Sequence, residues 1–202
     1  MSGPLTMPQP MPPTFVRGKM VLRGQAFGVT DCGTPSADRW IVAVAASFSG
    51  GGIAAFNAPT INGTAMTQII QSYSTYGDDG QRGAIWVGPA YTGQNVTLAN
   101  GGGGAIDRVA FFTITGVRNP VGAAVTSDVA ALTNKTGACV VGFFITNFSG
   151  VTGIANMTRL PATTATPVIG YDLGMTANTV TYTVSTSNPL VFQVKASWAF
   201  DY

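Results

Sequence analysis

The sequence predicts an all-β protein: an antiparallel β-sandwich, jelly-roll-like, behind an extended Pro-rich N-terminal arm. Three observations predict it. Short apolar runs rich in Val, Ile, Thr and aromatic residues recur along the chain. Gly and Asn interrupt them at roughly 8–12-residue intervals, the spacing of turns in sandwiches and barrels. No segment sets Ala and Leu three and four residues apart against a charged face, as an amphipathic helix requires.

The elements follow in order. Residues 1–18 form the arm, with Pro4, Pro8, Pro10, Pro12 and Pro13 set among Met7, Met11 and Phe15. Proline fixes φ and removes donors, so the arm reads as extended or polyproline-like. It has no apolar periodicity with which to pack on itself. The body is 19–202, one sandwich or two β halves of about 19–120 and 121–202. Lys19–Val29 reads as a mixed strand. Trp40–Ala46 is the kind of run that is buried on both sides. Thr60–Ile70 contains Asn62-Gly63, the strongest short hairpin signal. Ala84–Val87 ends at the breaker Gly88-Pro89, and Gln94–Ala99 alternates through Val96 and Leu98. Gly101–Gly104 is a loop. Arg108–Thr115, Cys139–Thr146, Pro167–Tyr171 and Thr179–Ser185 follow as strands. The last strand carries Phe192, Val194, Ala196, Trp198 and Phe200 on one face and Gln193, Lys195 and Ser197 on the other. The stretches 39–61 and 138–160 echo one another as apolar strand, Ser-Gly-rich turn and small-residue strand. The echo fits two stacked halves, and equally two unrelated buried strands followed by Gly turns.

Composition narrows the chemistry. The 202 residues include 26 Gly, 2 Cys and no His, and all 8 acidic residues are Asp. Without His there is no Ser-His-Asp or Cys-His pair and no imidazole proton shuttle. Two Cys more than a hundred residues apart, with no His, do not make a zinc site. No catalytic residue, cofactor or metal ligand is therefore expected. Only 9% of residues are charged and mean hydropathy is +0.28. Such a surface is expected to lie against other protein. A net charge of +2 is too small for a general nucleic-acid binder. The N-terminus lacks the charged start and apolar run of a signal peptide. The longest apolar run, Trp40–Ala46, is far short of a membrane helix, so no membrane partner is expected. Cys32 and Cys139 are either buried thiols or one disulfide, and cytosolic assembly favours thiols.

Several constellations invite a functional reading. Arg17, Lys19 and Arg23 precede the first acid, Asp31. With Met7, Met11 and Phe15 they form a candidate docking set for an acidic, adaptable partner surface. They serve equally to keep a strand edge soluble. Asp78-Asp79 with Arg82 suggests a calcium loop but lacks its spacing and reads better as a turn. Gly101–Gly104 lacks the Lys-Ser/Thr ending and following helix of a phosphate loop. Asp38-Arg39 and Asp107-Arg108, with Tyr76, Trp86 and Tyr91, offer a possible glycan-reading groove. The plainer reading of both pairs is a charged strand entrance that fixes register.

From Asp38 onward the chain resembles a group of β-sandwich virion structural proteins of tailed phages and prophages. The resemblance rests on ordered elements: RWIVAVAASFSGGG, the hairpin TINGTAMTQI, GAIWVGPAYTGQNVTLAN, RVAFFTITGV, ACVVGFFIT and the terminal VKASWAF. It implies a capsid decoration or tail-associated protein with no catalytic residues. Expected partners are the major capsid protein and copies of the chain itself, as a trimer or dimer. The expected location is the capsid surface, after assembly in the host cytoplasm. The alternative is a tail-fibre, baseplate or head-spike protein that binds a host glycan or receptor.

Overall fold

The computed structural model describes residues 18–50, 56–76, 79–88, 93–98, 106–146, 151–161, 167–186 and 190–201. Every strand pairing among them is antiparallel, and the fold is an all-β sandwich. The first half supplies β1 (Lys19–Gly24), β2 (Gly28–Asp31), β3 (Arg39–Gly50), β4 (Thr60–Ile61), β5 (Thr64–Ala65), β6 (Thr67–Tyr76), β7 (Asp79–Gly88), β8 (Asn95–Leu98) and β9 (Arg108–Thr115). The second supplies β10 (Ala124–Ser127), β11 (Ala131–Thr133), β12 (Cys139–Thr146), β13 (Val151–Ile154), β14 (Thr158–Arg159), β15 (Val168–Asp172), β16 (Thr179–Thr181), β17 (Val184–Thr186) and β18 (Leu190–Trp198).

Two five-stranded sheets face one another, ordered β1-β9-β3-β7-β6 and β10-β18-β12-β15-β14. The two orders correspond strand for strand. In each, the half's first strand is at one edge, its last strand is next, and the longest apolar run is central. The echoing stretches 39–61 and 138–160 begin on these two central strands, β3 and β12.

Side-chain alternation decides the layering. Val42, Val44 and Ala46 of β3 face Val141, Phe143 and Ile145 of β12 across the central core. Phe112 and Tyr171 meet across the same layer, with ring centroids 5.6 Å apart. The opposite face of β3, Ile41, Ala43 and Ala45, is also buried, beneath an outer sheet ordered β2-β8-β4-β5. Val140 and Phe144 of β12 are covered in the same way by the pairs β11-β16 and β13-β17. The described strands thus stack in four layers, and the inner strands read as continuous apolar runs because both faces are dry.

Three sequence expectations need correction. Lys19–Val29 is not one strand. The register against β9 shifts between Leu22 and Gly24, and Gly28 takes φ +91°, so the chain leaves the inner sheet and enters the outer one. Thr179–Ser185 likewise splits into β16 and β17, because Tyr182 turns into the core and donates to Asp172 Oδ2 at 2.9 Å. The strands expected within Thr60–Ile70 and over Ala84–Val87 extend further towards each other: β6 runs to Tyr76 and β7 starts at Asp79. The Asn62-Gly63 hairpin forms as expected, with φ of 49° and 78°. Gly101–Gly104 and Asp78 lie outside the described residues.

Candidate functional site

Of the candidate docking residues, Met7, Met11, Phe15 and Arg17 lie outside the described residues. Lys19 and Arg23 stand on β1, an edge strand whose Met20 and Leu22 face the core. Lys19 is exposed. Arg23 is exposed too, yet its Nε donates to Thr113 Oγ1 at 2.9 Å, and its guanidinium lies against Gly33. Arg23 therefore straps β1 to the turn after β2.

The two Asp-Arg pairs act within the fold. Arg39 is 3% exposed and donates to the carbonyls of Cys32, Gly33 and Gly93. Burial pushes its pKa down from the usual arginine value, and the carbonyls compensate the enclosed charge. Asp38 accepts from Ser36 Oγ at 2.9 Å, and Asp107 accepts from the Phe48 amide at 2.6 Å. Trp86, a candidate glycan platform, is wholly buried beside Phe56, with centroids 6.2 Å apart. It presents no ring face to a sugar, so Trp86 is a core residue and not a glycan platform. Trp86 lies on the face of β7 that would be open in a two-layer sandwich. The outer sheet closes that face. Tyr91 and the Tyr76 side chain lie outside the described residues.

Both cysteines are buried thiols, and they sit in different cores, Cys32 beneath the outer sheet and Cys139 in the central layer. Burial pushes their pKa values up to about 11 and about 12.

Two features were not singled out from the sequence. One is a cleft at the connector between the halves. The chain turns at Gly116, φ +72°, and makes a 3-10 turn over Pro120–Gly122. Asn119 caps this turn, its side-chain oxygen accepting from the Val121 and Gly122 amides. The Asp201 amide donates to Gly116 O at 2.7 Å, so the chain's last described residue also lies here. Three adjoining cavities of about 360, 310 and 230 Å³ share Arg118 and Asp201 in their linings. Trp40, Val117, Trp198 and Phe200 provide apolar walls, and Asp38, Asn134 and Lys135 provide polar ones. Arg118 Nε and Asp201 Oδ2 stand 4.0 Å apart.

The other is a charge-poor outer surface. On the outer sheet Val29 pairs with Thr97, Thr97 with Thr60, and Thr60 with Ala65. These four lie in one row across the sheet. Asp31 is the one charged residue among its strands. Val29 is 65% exposed and Phe27, just before β2, is 52% exposed. On the second half Val121, Val125 and Val129 are exposed along the edge strand β10 and its flanks. The signal for both surfaces was the low charge, which gave their existence but not their place.

Comparison of the chain with protein-family models, with curated proteins and with solved structures found no match.

Proposed function

We propose that this protein is a structural component of a phage virion: a decoration protein that binds the outer capsid surface and braces the shell. In this reading it performs no catalysis, and its partners are the major capsid protein and copies of itself. The observation that carries it is the outer sheet, where exposed Val29 stands in a Thr- and Ala-lined row with little charge and exposed Phe27 directly precedes its strand. Exposed apolar surface on a sheet marks a protein contact, and many copies on a shell turn a modest contact into firm attachment. The ordered elements from Asp38 to Phe200 that resemble virion proteins support the same reading.

The test uses particles that lack the protein. Adding the pure chain is expected to saturate them at a fixed copy number. Phe27→Asp with Val29→Asp is expected to lower apparent affinity at least tenfold, about 1.4 kcal/mol, with an unchanged unfolding midpoint. Full occupancy by the double variant overturns the outer sheet as the docking face. No binding of the unaltered chain overturns the decoration role. The glycan-binding alternative has lost Trp86 from its three aromatics.

A further inference from the structure

We propose that the cleft at the connector is the seat of the chain's own N-terminal arm, residues 1–17, in the free protein. This goes beyond the decoration role and does not depend on it.

Three observations point to it. First, the arm ends at the cleft. A Cβ on Gly18 would overlap the Phe200 ring, so the chain enters the body in contact with Phe200. Phe200 lines one of the three cavities that adjoin at Arg118 and Asp201. The arm therefore enters the body beside the cleft. Seventeen residues at roughly 3.1 Å each span roughly 50 Å as polyproline, ample to cross one end of the body.

Second, the chemistry matches. Polyproline segments dock in grooves lined by aromatic side chains. This cleft offers the partly exposed Trp40 and Ala199, with the largely buried Val117, Trp198 and Phe200 forming the wall behind them. The arm brings five prolines with Leu5, Met7, Met11 and Phe15. Arg17 is next to Gly18 in sequence, and carboxylates of Asp38 and Asp201 lie in the cleft.

Third, attachment favours the arm over any free competitor. A short tether gives a local concentration in the millimolar range, so even a weak site is filled.

Trp40 gives the readout. It lines the cleft and is partly exposed, whereas Trp86 and Trp198 are buried. Acrylamide quenching is compared between the intact chain and the chain lacking residues 1–16, where sedimentation shows both as monomers. Removal of the arm is expected to raise the accessible indole signal about threefold, as a tethered segment at millimolar local concentration would otherwise keep it covered. Equal quenching overturns the proposal. A difference seen only at concentrations where the intact chain self-associates overturns it in favour of an arm from a second copy. The intact chain supplies a second test should the truncated one fail to fold. With the arm seated, the intact chain and its Trp40→Phe variant show the same quenchable fraction. A readily quenched component that Trp40→Phe removes means an open cleft and overturns the proposal.

Discussion

The indole N–H groups of Trp40 and Trp198 grip one connector. Trp40 Nε1 donates to Val117 O at 3.0 Å, and Trp198 Nε1 to Pro120 O at 2.6 Å. One tryptophan comes from the start of β3, the central strand of the first inner sheet, and the other from the end of the last strand. The two halves are therefore fastened to each other through the four residues Val117–Pro120 as well as through the central core.

Trp198→Phe removes a buried donor from Pro120 O. It is expected to cost about 1–3 kcal/mol, the penalty of an unmet buried carbonyl plus lost volume. Trp40→Phe costs less because its site is partly open to water. In a double-mutant cycle by urea unfolding, the two changes are expected to couple, since both act on one short segment. Strict additivity would mean that the connector is held by other contacts.

Lys195 makes stability depend on pH in an unusual direction. It is wholly buried, donating from Nζ to Val129 O at 2.6 Å and Gln193 Oε1 at 2.8 Å, with the Phe144 ring 5.6 Å away. Burial lowers its pKa from 10.5 to about 8, and Asp128 offsets part of that. Between about 8 and 10.5 the unfolded chain holds a proton that the folded chain has released, so this group makes stability rise with pH. The buried thiols act oppositely. Unfolded cysteine ionises near 9.0, and the folded thiols near 11 and 12, so their contribution falls as pH rises above about 9. The expected profile rises from pH 8 towards 9 and then turns down. Lys195→Met is expected to abolish the rise and keep the fall. A rise that survives in Lys195→Met assigns it elsewhere.

Gly83 marks where the halves press together. A Cβ there would overlap the buried Phe143 ring of the facing sheet. Gly83→Ala is expected to destabilise by about 1–3 kcal/mol, the usual cost of overpacking. A Cβ on Gly153 would meet nothing nearer than 4.0 Å, so Gly153→Ala is expected to stay within about 0.5 kcal/mol of the parent, as open sites do. Thermal unfolding of the pair separates crowding from a general intolerance of alanine.

Arg39 is a planar fork on three carbonyls. Arg39→Lys keeps the charge but loses the fork, and a buried ammonium cannot span acceptors on two separate loops. The expected loss is about 2–4 kcal/mol, that of a buried charge left poorly paired. Hydrogen exchange at the Cys32 amide, which donates to Gln94 O at 2.6 Å, is expected to quicken in step. Unaltered exchange there would show that Arg39 does not hold the two loops together.

Much of the strand pattern was legible because it is local. The β9 run Arg108–Thr115 and the β12 run Cys139–Thr146 were bounded from residue type alone. Asn62-Gly63 declared its turn because few other residues accept two successive positive φ values. The short strands β10, β11 and β14 were missed. Each is two to four residues long, too short for an alternating pattern to stand out.

The sequence by itself determined the all-β class, the inner strands, the hairpin and the scarcity of charge, since these follow from side-chain period and backbone preference. Only the tertiary structure decided that the sandwich has four layers. That outcome placed Trp86 and Lys195 in the dry interior and left Phe27 and Val29 outside. It also brought Gly18, Trp40, Arg118 and Phe200 to one cleft. Burial depends on what the other sheets cover, and contacts between residues far apart in the chain leave no local trace in the residues that make them.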